Sequence, residues 1–312
     1  MTNQAMPKKP ATLSGGRQAE QGHMSESPIR PRTSSWWVVI SRNGLTITAL
    51  MVVAMFVIFA LLAEYIAPYP PNQMHITAQM QPPSAEFWLG TDNMGRDLLS
   101  RMIYGTRGVL VTSVVAALLG VTWGTIVGLG SGYIGGWPDE IIMRLVDALL
   151  ALPSILLALL LLARLGASRI SIVLGIGIVY TPTVARVVRS AVLAVKNTEF
   201  VQAALLRGES TFYILFREIL PNIWSPIVVE ASIRTSYAIL LTASFGFLGL
   251  GVQEPEPDWG LMVSRARDYI QVAPWMALVP VVAISLLVIS LSIVADSLRE
   301  RISGIPGQNH ST

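Results

Sequence analysis

The sequence predicts an all-α membrane protein with about six transmembrane helices and both chain ends in the cytoplasm. Three observations predict it. Of the 312 residues, 52% are hydrophobic and only 13% charged, against about 25% charged in a soluble domain, and the mean hydropathy is +0.56. The apolar residues are gathered into runs near the roughly 20 residues needed to cross the hydrocarbon layer. Lys and Arg cluster in alternate connections between those runs, as the positive-inside rule requires.

Residues 1–35 are rich in Pro, Ser, Gly and Gln and carry Lys8, Lys9, Arg17, Arg30 and Arg32. No short apolar core with a cleavage site stands near the start, so this segment reads as a disordered basic tail rather than a signal peptide. Residues 36–107 hold the first span, about Leu45–Ala67, preceded by Trp36 and Trp37 at an interfacial position, and then a long external loop. Within that loop Thr91 or Asp92 can cap a short amphipathic helix with Leu98, Leu99, Met102 and Ile103 on its apolar side, lying along the outer membrane surface.

Residues 108–303 form a five-helix core, with spans at about Val109–Tyr133, Val146–Leu165, Ile170–Val195, Ser225–Leu248 and Trp275–Ala295; residues 304–312 are a C-terminal tail. Arg186, Arg189, Lys196, Arg207 and Arg217 surround the connection between spans four and five, and Arg299 and Arg301 follow span six. With six spans these share a side with the basic tail. Arg96, Arg101, Arg107, Arg164, Arg169, Arg265 and Arg267 fall on the other side, where Glu86, Asp92 and Asp97 offset those of the first loop. The sizeable 249–274 loop and the 68–107 loop make the outer side a place where something binds, or merely cap the bundle.

Several patterns stand out inside the spans. Gly120, Gly124, Gly128 and Gly132 recur every four residues and so share one helix face. Such a stripe lets a second helix approach closely; tight packing within the subunit is the first reading, a translocation path or dimer interface the second. Pro153 removes a helical hydrogen bond and favours a kink in span three. Arg144 and Asp147 can pair on one face, and so can Glu230 and Arg234, which stand four apart in an apolar context. An unpaired charge at the bilayer centre costs roughly 2.5–3.5 kcal/mol on insertion scales, so Glu230 and Arg234 face each other or the protein interior. They form a structural ion pair, or a gate or substrate contact.

The most informative stretch is the polar insert 196–222 between spans four and five, where a short turn would suffice. Thr198 can cap a first short helix with Glu199 in its first turn, and Phe200, Val201, Ala204 and Leu205 share a face. Gly208 interrupts. Phe212, Leu215, Phe216 and Ile219 then follow the spacing of a second amphipathic helix, and Pro221 punctuates its end. Ala203, Ala204 and Gly208 leave room for a partner surface. The insert docks a soluble partner or lies flat on the membrane.

Some chemistry is excluded. The chain has no cysteine, so it offers no disulfide or thiolate metal site. His23, His75 and His310 all lie outside the apolar runs. There is no phosphate-loop motif and no His-Glu-x-x-His motif, and a net charge of +3 gives no argument for nucleic acid.

Gln202-Ala203-Ala204, Gly208 and Leu220-Pro221 resemble the EAA loop of importer-type ABC transporter permeases. Around it, Gly90-Thr91-Asp92 with Gly95-Arg96-Asp97 and Tyr104-Gly105 are similar to the permeases of dipeptide and oligopeptide importers. So are Gly135-Gly136-Trp137, Met143 to Asp147, Ala151 to Ser154, Phe247 to Gly251, Trp259-Gly260 and Asp296 to Arg299. The likeness runs from about residue 36 to 303 and favours the second permease of the pair.

The resemblance implies a type I importer permease fold in the bacterial cytoplasmic membrane. It implies a second homologous permease as partner, two ATPase subunits or domains below, and an external binding protein delivering peptide. ATP and Mg would sit on the ATPases, with no cofactor and no covalent chemistry on this chain. Residues 196–222 would be the coupling loop. The family's usual glutamate is Gln202 here, which keeps hydrogen bonding but loses the charge; Arg207, Arg217 or Glu218 could supply a charged contact. The alternatives are the same architecture importing nickel chelates, glutathione or another small solute, a secondary transporter, which would need ion-coupling carboxylates near the midplane, and a membrane scaffold.

Overall fold

Twelve α-helical segments occur among the described residues, which are 44–303 of a computed structural model, with side chains through residue 300. The basic tail, Trp36, Trp37 and the 304–312 tail lie outside them. The long helices are α1 (Gly44–Leu61), α3 (Leu98–Ile134), α6 (Arg169–Val195), α10 (Trp224–Phe247) and α12 (Trp275–Ser303). Shorter ones are α2 (Ala63–Ile66), α4 (Gly136–Leu150), α5 (Ser154–Leu165), α7 (Glu199–Leu206), α8 (Thr211–Tyr213), α9 (Leu220–Asn222) and α11 (Trp259–Ala266). No strand is present among the described residues; a single bridge joins Thr91 and Asp97.

The α3–α6 pair is the spine of the bundle. Gly120, Gly124, Gly128 and Gly132 lie against Tyr180, Val184, Val188 and Val192 in turn, so the two helices run parallel. A Cβ at Gly124 would meet the Val184 Cβ at 2.5 Å, and one at Gly128 the Ala185 carbonyl oxygen at 2.6 Å. Only glycine lets the backbones come this close.

Because α3 and α6 are parallel, the chain between them must return from one end of the bundle to the other. The pair α4–α5 does this. At one end Asp139 of α4 binds Arg189 of α6 through two hydrogen bonds at 2.7 and 2.6 Å. At the other, Ala158 and Leu162 of α5 cluster with Ile172 and Ile176 of α6. The two helices, bent by 90°, thus make one traversal, which brings the candidate crossings among the described residues to six.

That bend is larger than the kink expected in span three. The helix ends at Leu150, and Pro153 stands as the N-cap of α5 with extended backbone (ψ 124°). Proline offers no N–H to the preceding turn and disfavours helix in the residue before it. The start also differs: the helix begins at Gly136, where Gly135 and Gly136, both at positive φ (65° and 62°), turn the chain out of α3. Arg144 does not pair with Asp147. It binds Glu140 at 2.6 Å, while Asp147 faces α6 and binds Arg186.

The separate surface helix expected after the first loop is instead the start of α3. Asp97, not Thr91 or Asp92, caps it, accepting from the Ser100 N–H at 2.8 Å. The 37-residue helix is about 55 Å long, well beyond the roughly 30 Å hydrocarbon layer, so its first turns project beyond the span. Gly105 and Gly108 do not break it; Gly105 gives room to Trp259, whose Cδ1 a Cβ would meet at 2.9 Å. The first span likewise ends earlier than expected, at Leu61, before a short α2.

Two contacts fix the bundle's ends. Thr46 near the start of α1 bonds Ser297 near the end of α12 at 2.9 Å. The start of α12 lies at the opposite end, where the Trp275 indole donates to the Thr91 carbonyl at 3.3 Å. We call these the elbow end and the loop end.

Candidate functional site

The elbow, residues 196–222, hangs below α6 and leads into α10. Lys196 ties it to the foot of α3 by donating to the Gly132 carbonyl at 3.1 Å. Thr198 holds the N-cap position of α7 with extended backbone, but its hydroxyl donates back to Val195 rather than capping the helix. Gly208 closes α7 at φ +74°, a left-handed turn open to glycine at no steric cost. Ser210 then caps α8, accepting from Tyr213 at 3.2 Å.

After α8 the chain makes a π-helical turn over Ile214–Ile219 before α9. Pro221 explains it: lacking an N–H, it cannot close the ordinary bond to residue 217, and the wider turn spreads the ladder. The wider turn sets Ile219 on the same side as Ile214. Ile214, which lies outside the predicted apolar face, is fully buried with Ile219, Val201 and Ala204 against Val188 and Val192 of α6. Phe212 and Phe216 point outward, 71% and 46% exposed, with ring centroids 4.4 Å apart.

The first arm divides similarly. Val201 and Ala204 are buried, while Phe200, Leu205 and Leu206 are exposed, Leu206 to 89%. Ala204 therefore fills the elbow's own interior and is not part of an outer surface, whereas Gln202, Ala203 and Glu199 are exposed. Arg207 is held within the elbow by Glu209 at 3.5 Å and Glu218 at 3.4 Å. Arg217 is exposed and has no ion pair among the described residues. Leu220 is half-buried and Pro221 exposed.

The result is a hook packed from within by aliphatic side chains. Its outer surface carries Leu206, Phe212 and Phe216 beside Glu199, Gln202 and Arg217. Sequence reading missed Leu206. Its signal was an apolar residue just before the glycine, off the face set by Val201 and Ala204.

Glu230 and Arg234 meet in α10, with Arg234 Nε donating to Glu230 at 2.9 Å and both side chains largely hidden. Arg234 also lies 5.5 Å from the Tyr180 ring centroid on α6, within cation–π range.

At the loop end, the Gly90–Asp97 motif folds into a knot. Thr91 bonds Gln81 N–H at 2.8 Å and Ala78. Asp92 accepts from Met94 and Arg96 N–H at 2.8 and 2.9 Å and from Arg96 Nε at 2.6 Å. Gly90 and Gly95 take positive φ, and a Cβ at Gly95 would strike the His75 carbonyl oxygen at 2.1 Å. Arg96 reaches Glu254 of the other loop at 3.3 Å, and buried Arg101 donates to Pro71 and Asn72 at 3.1 and 3.2 Å. Asp258 caps α11, accepting from Leu261 at 2.9 Å, and burial pushes its carboxyl pKa up.

Removing the Asp92 carboxylate takes the 2.6 Å partner from buried Arg96, leaving it only Glu254 at 3.3 Å, and removes the nearest negative charge, 3.9 Å away, from buried Arg101. Breaking a buried ion pair costs about 3–5 kcal/mol. Asp92→Ala is therefore expected to loosen the 62–97 loop, seen as faster cleavage there in limited proteolysis while α3 and α6 stay protected. Unchanged cleavage would contradict the structural role of the knot.

Residues 120–304 match the family described as "Binding-protein-dependent transport system inner membrane component". Residues 33–83 match the "N-terminal TM domain of oligopeptide transport permease C". The chain is 40% identical over 261 residues to a dipeptide transport system permease protein of Alkalihalophilus pseudofirmus, covering 84% of this chain and 86% of that one. It is 39% identical to a di/tripeptide transport system permease protein of Pseudomonas aeruginosa, covering 88% and 91%. It is 37% identical to a glutathione transport system permease protein of Pectobacterium atrosepticum, covering 88% and 92%. Among solved structures, an inward-facing MetNI methionine ABC transporter chain shares the fold, with TM-score 0.53 at 17% identity, covering 65% of this chain and 96% of that one. The six crossings, the elbow and these matches agree: the chain belongs to the family of binding-protein-dependent transport system inner membrane components, the membrane-embedded permease subunits of ABC importers.

Proposed function

We infer that this chain is one of two permeases in a bacterial importer of di- and oligopeptides. The elbow end faces the cytoplasm, following the distribution of Lys and Arg. There the elbow docks on an ATPase subunit, which carries the ATP and Mg. A second permease completes the pathway, and an external binding protein delivers peptide to the loop end. The observation that carries this reading is the hook's division of labour. Its inner face is filled by Val201, Ala204, Ile214 and Ile219, and its outer face exposes Leu206, Phe212 and Phe216. Exposed aromatic residues on a packed arm are the composition of a docking core. Closing of the ATPases on nucleotide would move the arm, and with it α6 and α10, between two states.

Relatives named for dipeptides favour peptide cargo. Relatives named for glutathione favour a narrower second reading, a single γ-linked tripeptide. Uptake of labelled dipeptide by cells with and without this chain tests both. We expect uptake to vanish on deletion and return on complementation, to survive a protonophore while ATP is maintained, and to yield to competing dipeptides. Competition by glutathione alone would favour the second reading. Uptake that needs no ATPase and collapses with the ion gradient would contradict both.

A further inference from the structure

Beyond their mutual pairing and the Tyr180 ring, no contact among the described residues uses the charges of Glu230 and Arg234. At about 1.5 Å per residue, Arg234 lies about 15 Å along α10 from Trp224, near mid-depth. α10 is the least apolar of the five long helices, with hydropathy 1.2 against 1.7–2.7 for the others, yet only 33% of its apolar window is buried. Tyr237, three residues on from Arg234, is 55% exposed. The most exposed residues of α10, Trp224, Tyr237, Leu240 and Phe247, are aromatic or aliphatic; it is the partly exposed Glu230 and Arg234 beside Tyr237 that hydrocarbon solvates poorly, so this part of the helix belongs to a wet passage or an interface.

The pair itself is reachable, with side-chain exposures of 13% for Glu230 and 18% for Arg234. Its single hydrogen bond uses Arg234 Nε and one carboxylate oxygen. No hydrogen bond among the described residues occupies the guanidinium's two terminal nitrogens. Beside it, the Tyr180 hydroxyl is buried with no partner among the described residues. A planar cation with a free edge, an adjacent carboxylate and an unsatisfied hydroxyl match a ligand carrying both an anion and an ammonium.

We propose that Glu230 and Arg234 read the charged termini of the passing peptide, Arg234 taking the C-terminal carboxylate and Glu230 the N-terminal ammonium. This rests on the peptide reading. The exchange swaps one ion pair for two and leaves no isolated charge at mid-depth, which is what makes it affordable in a low-dielectric site. When the peptide leaves, the pair closes again. Substrate class follows: short peptides with free termini, in preference to blocked ones.

The test uses the complete importer in proteoliposomes, with free, C-amidated and N-acetylated forms of one dipeptide supplied at equal occupancy of the binding protein. The wild type should carry the amidated and acetylated forms about tenfold more slowly than the free one, the scale of one lost charge-assisted bond. Arg234→Gln should slow the free peptide to the rate of the amidated one and leave the latter unchanged. Glu230→Gln should do the same for the acetylated form, and carries the test if Arg234→Gln does not accumulate in the membrane. Equal rates for free and blocked peptides in the wild type, or equal slowing of all forms by the variants, would overturn the proposal. A wild type that carries no peptide but another solute would instead refute the peptide reading itself.

Discussion

Gly124→Leu should abolish assembly of the bundle, while Gly130→Ala on the same helix should leave it intact. The two positions lie in opposite surroundings. A Cβ at Gly124 falls 2.5 Å from Val184 Cβ and 2.9 Å from the Thr181 carbonyl oxygen, whereas nothing lies within 4 Å at Gly130. Two of these contacts, the Val184 Cβ and the Thr181 carbonyl oxygen, cannot rotate away. A single added methyl in a tight core costs about 1–3 kcal/mol, and leucine adds three more carbons. At Gly130, alanine gains about 1 kcal/mol of helix propensity.

Alanine substitutions along the stripe should be worst at Gly124 and Gly128 and mildest at Gly132, where the nearest atom is 3.0 Å away. Membrane level by immunoblot and thermal stability in detergent read the series. Because α3 and α6 bracket α4–α5, separating them removes the support for one whole crossing. Normal levels and transport in Gly124→Leu would mean the helices do not meet along this seam.

Gly208→Pro should leave the permease in the membrane but lose both uptake and the binding protein's stimulation of ATP hydrolysis. The residue's φ of +74° cannot be adopted by proline, fixed near −65°, and the Gly208 N–H bond to Leu205 at 3.0 Å is lost as well. Gly208→Ala has room for its methyl and meets only the left-handed penalty of about 1–2 kcal/mol, so partial coupling should remain. Ala204→Arg would bury a charge in the elbow's own interior and collapse it, so it does not isolate docking. Phe212→Arg does, since the ring is 71% exposed. We expect both Gly208→Pro and Phe212→Arg to lower binding-protein-stimulated ATPase activity and uptake together by more than tenfold, at normal membrane level. Full stimulation in both would contradict the docking surface.

The sequence makes the spans legible because hydrocarbon imposes a strong local rule, and it makes Glu230–Arg234 legible because four-residue spacing alone brings the side chains together. The glycine stripe is readable for the same reason, although its partner face on α6 is not. What escapes sequence reading depends on contacts between elements. The depth of the bend at Pro153 follows from α4 docking on Arg189 and α5 on Ile172 and Ile176. The continuity of α3 follows from Trp259 filling the space beside Gly105. In the elbow, the outer surface is misread because helical spacing assumes an ordinary turn. The π turn ahead of Pro221 brings Ile219 to the buried side of Ile214, opposite Phe212 and Phe216. A proline ending an amphipathic run is the sequence clue to that turn.

The chain has no native cysteine, so a single cysteine placed at Phe212 can be followed without background. A membrane-impermeant thiol reagent should fail to label Phe212→Cys in right-side-out vesicles and label it in inside-out vesicles. Assembly with the ATPase subunits should block that labelling and allow a thiol crosslink to an ATPase. Labelling from the outer side, or full labelling in the assembled complex with no crosslink, would contradict the elbow as the point where ATP-driven motion enters this permease.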